Sequence, residues 1–209
     1  LKMDVFLLIN TGRAFQPIDI QFSNEAVLVT GANMAGKSVL LKTVSMAQYL
    51  FQFGFYIPAK EAVMTVVDDI ISSIGDKQSE TSGLSSFAVE ILTVDKIVKA
   101  GRAGRKVLAL VDELARTTNP EEGKLLVRNF LQLAKQLHIT ALVTTHYGGI
   151  ETTCRRLRVK GLQLKEGQAV TIGNISDYMD YSLVETDADE VPMEAFNIAT
   201  LFGVDEALL

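Results

Sequence analysis

The run Ala26-Val27-Leu28-Val29-Thr30 is apolar and β-branched without a polar interruption, the pattern of a strand buried on both faces. From Val39 to Phe53 neither Gly nor Pro intervenes, and the apolar positions fall at helical spacing. The same alternation recurs downstream. Ser85 opens a helical pattern carried by Phe87, Val89, Ile91, Leu92, Ile97 and Val98, with Gly101 as its expected stop. Lys106-Val107-Leu108-Ala109-Leu110-Val111 is the most continuous apolar strand. Asn119-Pro120 then starts a helix to about Leu137, and Thr140 to Thr144 forms another strand. Strands alternating with helices, each connection long enough for a crossover, predict an α/β fold with a mainly parallel sheet.

The remaining segments are less regular. Val5 to Ile9 reads as a strand followed by a turn at Thr11-Gly12-Arg13, and Pro17 to Phe22 as a second strand with Ile18 and Ile20 on one face. Gly54 ends the first long helix, and Tyr56 to Ala59 is a connector. Val63 to Ile74 reads as two short strands or one bent strand, broken by Asp68-Asp69; Gly75 to Leu84 is a polar loop. Val159 to Leu164 and Ala169 to Ile172 flank a hairpin turn at Lys165-Glu166-Gly167-Gln168. Tyr178 to Glu190 reads as a polar, acidic loop. Asp187, Asp189 and Glu190 in it match no metal-loop spacing and are expected to be solvated. Pro192 to Leu201 is amphipathic and ends at Gly203. The expected division is a core over residues 1–176 and an acidic loop with a C-terminal helical segment over 177–209.

Length and composition narrow the class. The 209 residues suffice for one sizeable core. No apolar run approaches the ~18–20 residues that span a bilayer, and Lys2 and Asp4 precede only a brief apolar run, unlike a signal peptide. No membrane association is expected. The single cysteine, Cys154, excludes an internal disulfide framework and fits a cytoplasmic protein. The chain begins at Leu1 rather than Met and reads as a fragment of a longer one. Its net charge of −5 is opposite to that of a dedicated nucleic-acid-binding domain. The basic clusters at Lys99–Lys106 and Arg155–Arg158 read as solvated surface, so any grip on DNA is expected outside this segment.

The chemistry begins where the first strand meets the first helix. Gly31-Ala32-Asn33-Met34-Ala35-Gly36-Lys37-Ser38 fits the phosphate-binding pattern G-x-x-x-x-G-K-[ST], set between strand and helix as that motif requires. Backbone N–H groups from Asn33 to Lys37 are expected to converge on a β-phosphate at a helix N-terminus, where the dipole favours an anion. Lys37 is expected to reach the β- and γ-phosphates of ATP, and Ser38 to hold Mg²⁺. Asp112, directly after the most apolar strand, supplies the carboxylate such a site needs for Mg²⁺. Glu113 follows it as general base or water-positioning group. His146 follows the strand Ala141–Thr145, at the edge where α/β sheets bind ligands, and is placed to sense the γ-phosphate or hold the attacking water. His138, at a helix C-terminus, reads as structural. Ser85 and Ser86 open a helix; on sequence alone Ser85-Ser86 is an ordinary N-cap.

Taken together, these segments resemble the ATPase domain of the MutS family, a branch of the ABC-type ATPases. Thr30 to Ser38 resembles T-G-P-N-M-x-G-K-S, including the Asn33-Met34 pair. Ser85-Ser86-Phe87-Ala88-Val89-Glu90 resembles S-T-F-M-V-E, and Val111 to Thr118 resembles L-D-E-I-G-R-G-T. Thr145-His146-Tyr147 matches T-H-Y, and Ala195 to Val204 resembles the family's closing helical segment. The resemblance implies an ABC-ATPase-like three-layer P-loop NTPase fold with a C-terminal helical segment that dimerises. It implies an ATPase using Mg²⁺ in a homodimer with composite sites, each nucleotide capped by the partner's Ser85 or Ser86. It also implies Phe15 stacking on adenine, and coupling to DNA mismatch repair or related DNA transactions. Divergent relatives instead remodel a protein client such as a cofactor-dependent aminomutase. This chain departs from the pattern at Ala32, which replaces a proline, and at Val39, which replaces a threonine next to the phosphate site and so withdraws a hydroxyl. Ala115 and Thr117 replace glycines.

Overall fold

The computed structural model describes residues 2–3, 16–32, 35–75, 85–163, 174–187, 199–200, 203–205 and 207. In chain order the elements are β1 (Lys2–Met3), β2 (Ile18–Asp19), β3 (Ala26–Thr30), α1 (Lys37–Gln52), β4 (Ala59–Glu61), β5 (Asp69–Ser73) and α2 (Ser86–Arg102). They continue with β6 (Val107–Val111), α3 (Pro120–Gln136), β7 (Thr140–Thr144), β8 (Arg155–Leu162), a 3-10 turn (Ile175–Tyr178) and β9 (Met179–Glu185). Among the described residues they make a mixed α/β fold around a six-stranded sheet of order β5-β6-β7-β3-β8-β9. The first five strands are parallel, and β9 closes the edge antiparallel to β8. A small antiparallel sheet, β2-β1-β4, is separate in its hydrogen bonding, with β2 packed beside β9.

The continuous apolar strands are continuous because helices cover both faces. On one face Leu28, Ala109, Val111, Ala141 and Val143 pack with Ile97 of α2 and Val127, Phe130 and Leu131 of α3. On the other, Val27, Val29, Leu108, Leu110, Leu142 and Leu157 pack with Leu40, Leu41 and Val44 of α1. Successive strand residues thus feed alternate layers, as the two-residue period requires. Each fully buried Leu or Val contributes about 1.5–3 kcal/mol, so the two layers dominate the stability.

The helices start where the sequence places them. Asn119 caps α3 through its side chain, which accepts from the Glu121 N–H, with Pro120 at the first helical position. His138 follows α3 in a left-handed conformation at φ 52°, exposed at the C-terminal end. Gly101 does not stop α2, which continues to Arg102. A Cβ at 101 would lie 2.6 Å from Ile139 Cδ1, so the glycine is there to admit that side chain.

Other expectations are corrected. Tyr178–Glu190 is not a loop throughout: Met179, Tyr181 and Leu183 alternate onto the α1-side core, and the strand β9 results. The carboxylates interspersed through this segment obscure its two-residue period. Arg155–Arg158 is not simply solvated surface but opens β8, which begins earlier than Val159. Arg155 is tied to the Gln21 carbonyl, Glu25 and Glu185, and the Leu157 between the arginines is buried. Within Val63–Ile74 the ladder is confined to β5. Before it, the Gln48 side chain donates to the Thr65 carbonyl and Gln52 accepts from the Val67 N–H, pinning that stretch to α1. The expected strand at Pro17–Phe22 shrinks to β2, and β4 begins at Ala59, the last residue of the expected connector. Val5–Ile9, Asp76–Leu84, the turn at 165–168, Ala169–Ile172 and most of Pro192–Leu201 lie outside the described residues. No helix among the described residues is long and apolar enough to cross a membrane.

Candidate functional site

The C-terminal ends of β3, β6 and β7 deliver Gly31, Asp112 and Thr145-His146 to one edge of the sheet. Between β3 and α1 the backbone turns through two positive-φ glycines, Gly31 at 148° and Gly36 at 82°. A side chain would be strained at both. A Cβ at Gly31 would meet Val159 Cβ at 3.3 Å, and one at Gly36 would meet the Tyr181 ring at 3.0 Å. Helix α1 then begins at Lys37 with no side-chain cap and no acidic residue in its first turn. Its leading N–H groups and the positive end of its dipole therefore remain available to an anion.

Lys37 is 5% exposed, unusual for a lysine, and its ammonium is fully engaged. Nζ donates to the carbonyls of Gly31 at 2.8 Å and Ala32 at 3.0 Å, and lies 3.5 Å from Glu113 Oε1. Arg116 Nη1 stands 3.8 Å from the other Glu113 oxygen. Glu113 itself has φ 48°, a left-handed conformation without a glycine to relieve it. Thr144 Oγ1 donates to Asp112 Oδ1 at 2.7 Å and accepts from the Glu113 N–H at 2.9 Å. Asp112 and Ser38 line the same cleft of about 200 Å³, with Ser86, Glu90, Glu113 and Arg116.

The His146 ring lies 4.1 Å from that of Tyr147, and its Nδ1 is buried without a hydrogen-bond partner among the described residues. Burial lowers its pKa; the nearby Glu113 pulls the other way, while Lys37 and Arg116 add to the lowering. The imidazole is therefore neutral at pH 7, with one donor and one acceptor nitrogen. Behind it, Tyr147 donates to the Ala115 carbonyl at 2.7 Å, and burial raises its pKa, so the phenol keeps its proton. The Ala115 N–H donates to Glu90 Oε1 at 3.1 Å. Burial raises the Glu90 carboxyl; that bond and Arg116 only partly offset it. Ala115 sits at φ 62°, so the turn after Asp112 is held in two left-handed residues by contacts from α2 and from Tyr147.

No group of three or more His, Cys, Asp or Glu among the described residues is arranged to hold a metal ion. Two oxygen donors, the Ser38 hydroxyl and the Asp112 carboxylate, do share the cleft. That set suits a hard cation that draws its other ligands from water and phosphate, the habit of Mg²⁺.

The structure thus brings Gly31, Gly36, Lys37, Ser38, Asp112, Glu113 and His146 to one edge, with Ala32 and Ala35 buried in the turn. Val39 is 59% exposed on the first turn of α1. Ser85 is the exposed N-cap of α2, its side chain accepting from the Ala88 N–H, whereas Ser86 lines the cleft of its own chain. Phe15, Asn33 and Met34 lie outside the described residues. Thr144, Tyr147, Tyr181, Glu90 and Arg116 were given no role by sequence reasoning. Tyr147, Glu90 and Arg116 stand in the quoted motif segments, Arg116 close behind the Asp-Glu pair; a threonine ending a strand carries no such mark.

Comparison with known proteins finds similar sequences. A family model described as MutS domain V matches residues 27–185. The protein named Endonuclease MutS2 from Halothermothrix orenii is 36% identical over 139 residues, covering 65% of this chain and 17% of its own length. Its namesake from Agathobacter rectalis is 32% identical over 159 residues, covering 70% and 20%. The protein named DNA mismatch repair protein MutS from Thermus thermophilus is 35% identical over 152 residues, covering 72% and 18%. The chain therefore spans a fifth or less of the length of these curated relatives.

Proposed function

The chain belongs to the MutS family, through its domain V, and from that membership we propose that it binds and hydrolyses ATP within a larger protein acting on DNA. The observation that carries this reading is the convergence of Lys37, Ser38, Asp112, Glu113 and His146, from three separate segments, on one sheet edge beside an uncapped helix N-terminus.

In this reading the loop Gly31–Gly36, with Asn33 and Met34, wraps the phosphates, Val39 lies beside them and Phe15 stacks on adenine. Lys37 leaves the Gly31 and Ala32 carbonyls for the β- and γ-phosphates, and in doing so releases Glu113. Mg²⁺ held by Ser38 and Asp112 would neutralise phosphate charge. Glu113, no longer paired with Lys37, orients the attacking water and takes its proton. The neutral His146 contacts that water or the γ-phosphate. The site is composite in a homodimer: the start of α2, with Ser85 or Ser86, reaches the partner's nucleotide as a second anion site. The protein is cytoplasmic.

Two measurements test this. Lys37→Ala should abolish ATP binding; unchanged affinity would sink the phosphate-loop assignment. Full-length parent should bind DNA duplexes in fluorescence anisotropy at one stated salt concentration. A preference for a mismatched duplex that ATP alters would place the domain in repair. Binding to neither duplex would turn the reading toward remodelling of a protein client.

A further inference from the structure

Thr144, the last residue of β7, is fully buried, and its hydroxyl stands between the two acidic residues that follow β6. A threonine hydroxyl has one proton to give. A carboxylate has none and a peptide N–H accepts nothing, so the two bonds have fixed directions: to Asp112 Oδ1 and from the Glu113 N–H. The first commits one Asp112 oxygen to the neighbouring strand and leaves Oδ2 for the cleft. The second grips the Glu113 peptide at a residue held at φ 48°, a conformation that persists only where its surroundings over-determine it. Lys37 holds the end of the Glu113 side chain; Thr144 holds its backbone.

We propose that Thr144 is a positioning residue for ATP hydrolysis, setting the Asp112 carboxylate for the metal and Glu113 for the attacking water. It acts only through those two groups. The inference rests on the ATPase reading above.

Thr144→Val keeps the shape and removes both bonds; Thr144→Ser keeps the hydroxyl. The 209-residue chain is assayed for ATP turnover, and for affinity toward a non-hydrolysable ATP analogue with Mg²⁺ and with a chelator. For Thr144→Val, metal-free affinity should stay within about twofold of wild type, because Lys37 and the loop are untouched. The affinity gained on adding Mg²⁺ should shrink, and kcat should fall about 10- to 100-fold, the usual cost of losing an outer hydrogen bond to a metal site. Thr144→Ser should restore both. Wild-type kcat and Mg²⁺ response in Thr144→Val would overturn the inference, as would failure of serine to rescue. Loss of metal-free and metal-dependent affinity in equal measure would also overturn it, since that is a collapsed site. If the valine variant does not fold, Thr144→Cys, which keeps the volume with a weaker donor, must fall below the serine variant in both readouts, and equality overturns the inference. A wild-type chain that neither binds nor hydrolyses ATP removes the ATPase reading itself, an outcome distinct from all of these.

Discussion

Lys37 and Glu113 restrain one another, and each is needed elsewhere for the proposed reaction. Glu113→Gln removes the charge that holds Lys37 while keeping the side-chain shape. It should bind ATP at least as tightly as wild type and turn over about 10²- to 10⁴-fold more slowly, the range for losing a general base. Equilibrium binding set against single-turnover hydrolysis separates the two effects. His146 gives a pH prediction. Burial lowers its pKa, so below its unfolded value of about 6.5 the unfolded chain takes up a proton that the folded chain resists. Its contribution to stability therefore declines as pH falls below about 6.5. The raised Glu90 carboxyl works in the opposite direction at acidic pH, so the comparison must be between wild type and His146→Gln. In urea titrations the variant should lose less stability than wild type between neutral pH and pH 5. Residues of this kind were legible because a motif or a strand end marked them. Thr144 was not, because threonine at a strand end is explained already by its β-branched side chain. Nor was the left-handed turn at Glu113 and Ala115, because no glycine announces it.

At the scale of elements, two helical glycines show how packing overrides local preference. Gly123 lies inside α3, where alanine would improve helix propensity by about 1 kcal/mol. Yet a Cβ there would lie 2.5 Å from the Tyr147 hydroxyl, the group that holds Ala115. Gly123→Ala should therefore destabilise by about 1–3 kcal/mol in chemical denaturation, despite the propensity gain. Tyr147→Phe, which keeps the ring and drops the bond, should soften this turn without the clash. The caps were readable in advance. Asn119-Pro120 marked the start of α3, and Asn119→Ala should cost about 1 kcal/mol by the same assay. Gly101 was misread as a helix stop because its partner, Ile139, lies in the turn between α3 and β7, which sequence order does not bring near. The strand β9 was hidden by the acidic residues within and after it, although Met179, Tyr181 and Leu183 alternate onto one core.

The whole molecule was legible as a class and not as an arrangement. Alternating buried strands and amphipathic helices predicted the parallel sheet, but the order β5-β6-β7-β3-β8-β9 depends on long-range pairing that no local run encodes. If the proposed composite dimer is right, hydrolysis per chain should rise with protein concentration through the dimerisation range; a flat profile from a proven monomer would refute it. The far edge of the sheet adds another property. Gln16 and Asp180 are 164 residues apart, yet Gln16 donates to the Asp180 carboxylate and accepts from the Tyr181 N–H. Burial works to raise the Asp180 carboxyl, but hydrogen bonds from Ser182, Gln16 and Lys160 hold it well below the usual carboxylate range. That same strand lays the Tyr181 ring against Gly36, in the loop before α1. A chain leaving the ribosome therefore gains its five parallel strands once β8 has emerged, while the loop that begins α1 goes without its cover until residue 181 follows. Synthesis itself is a timer: the nascent domain acquires most of its core before the proposed nucleotide site acquires its cover.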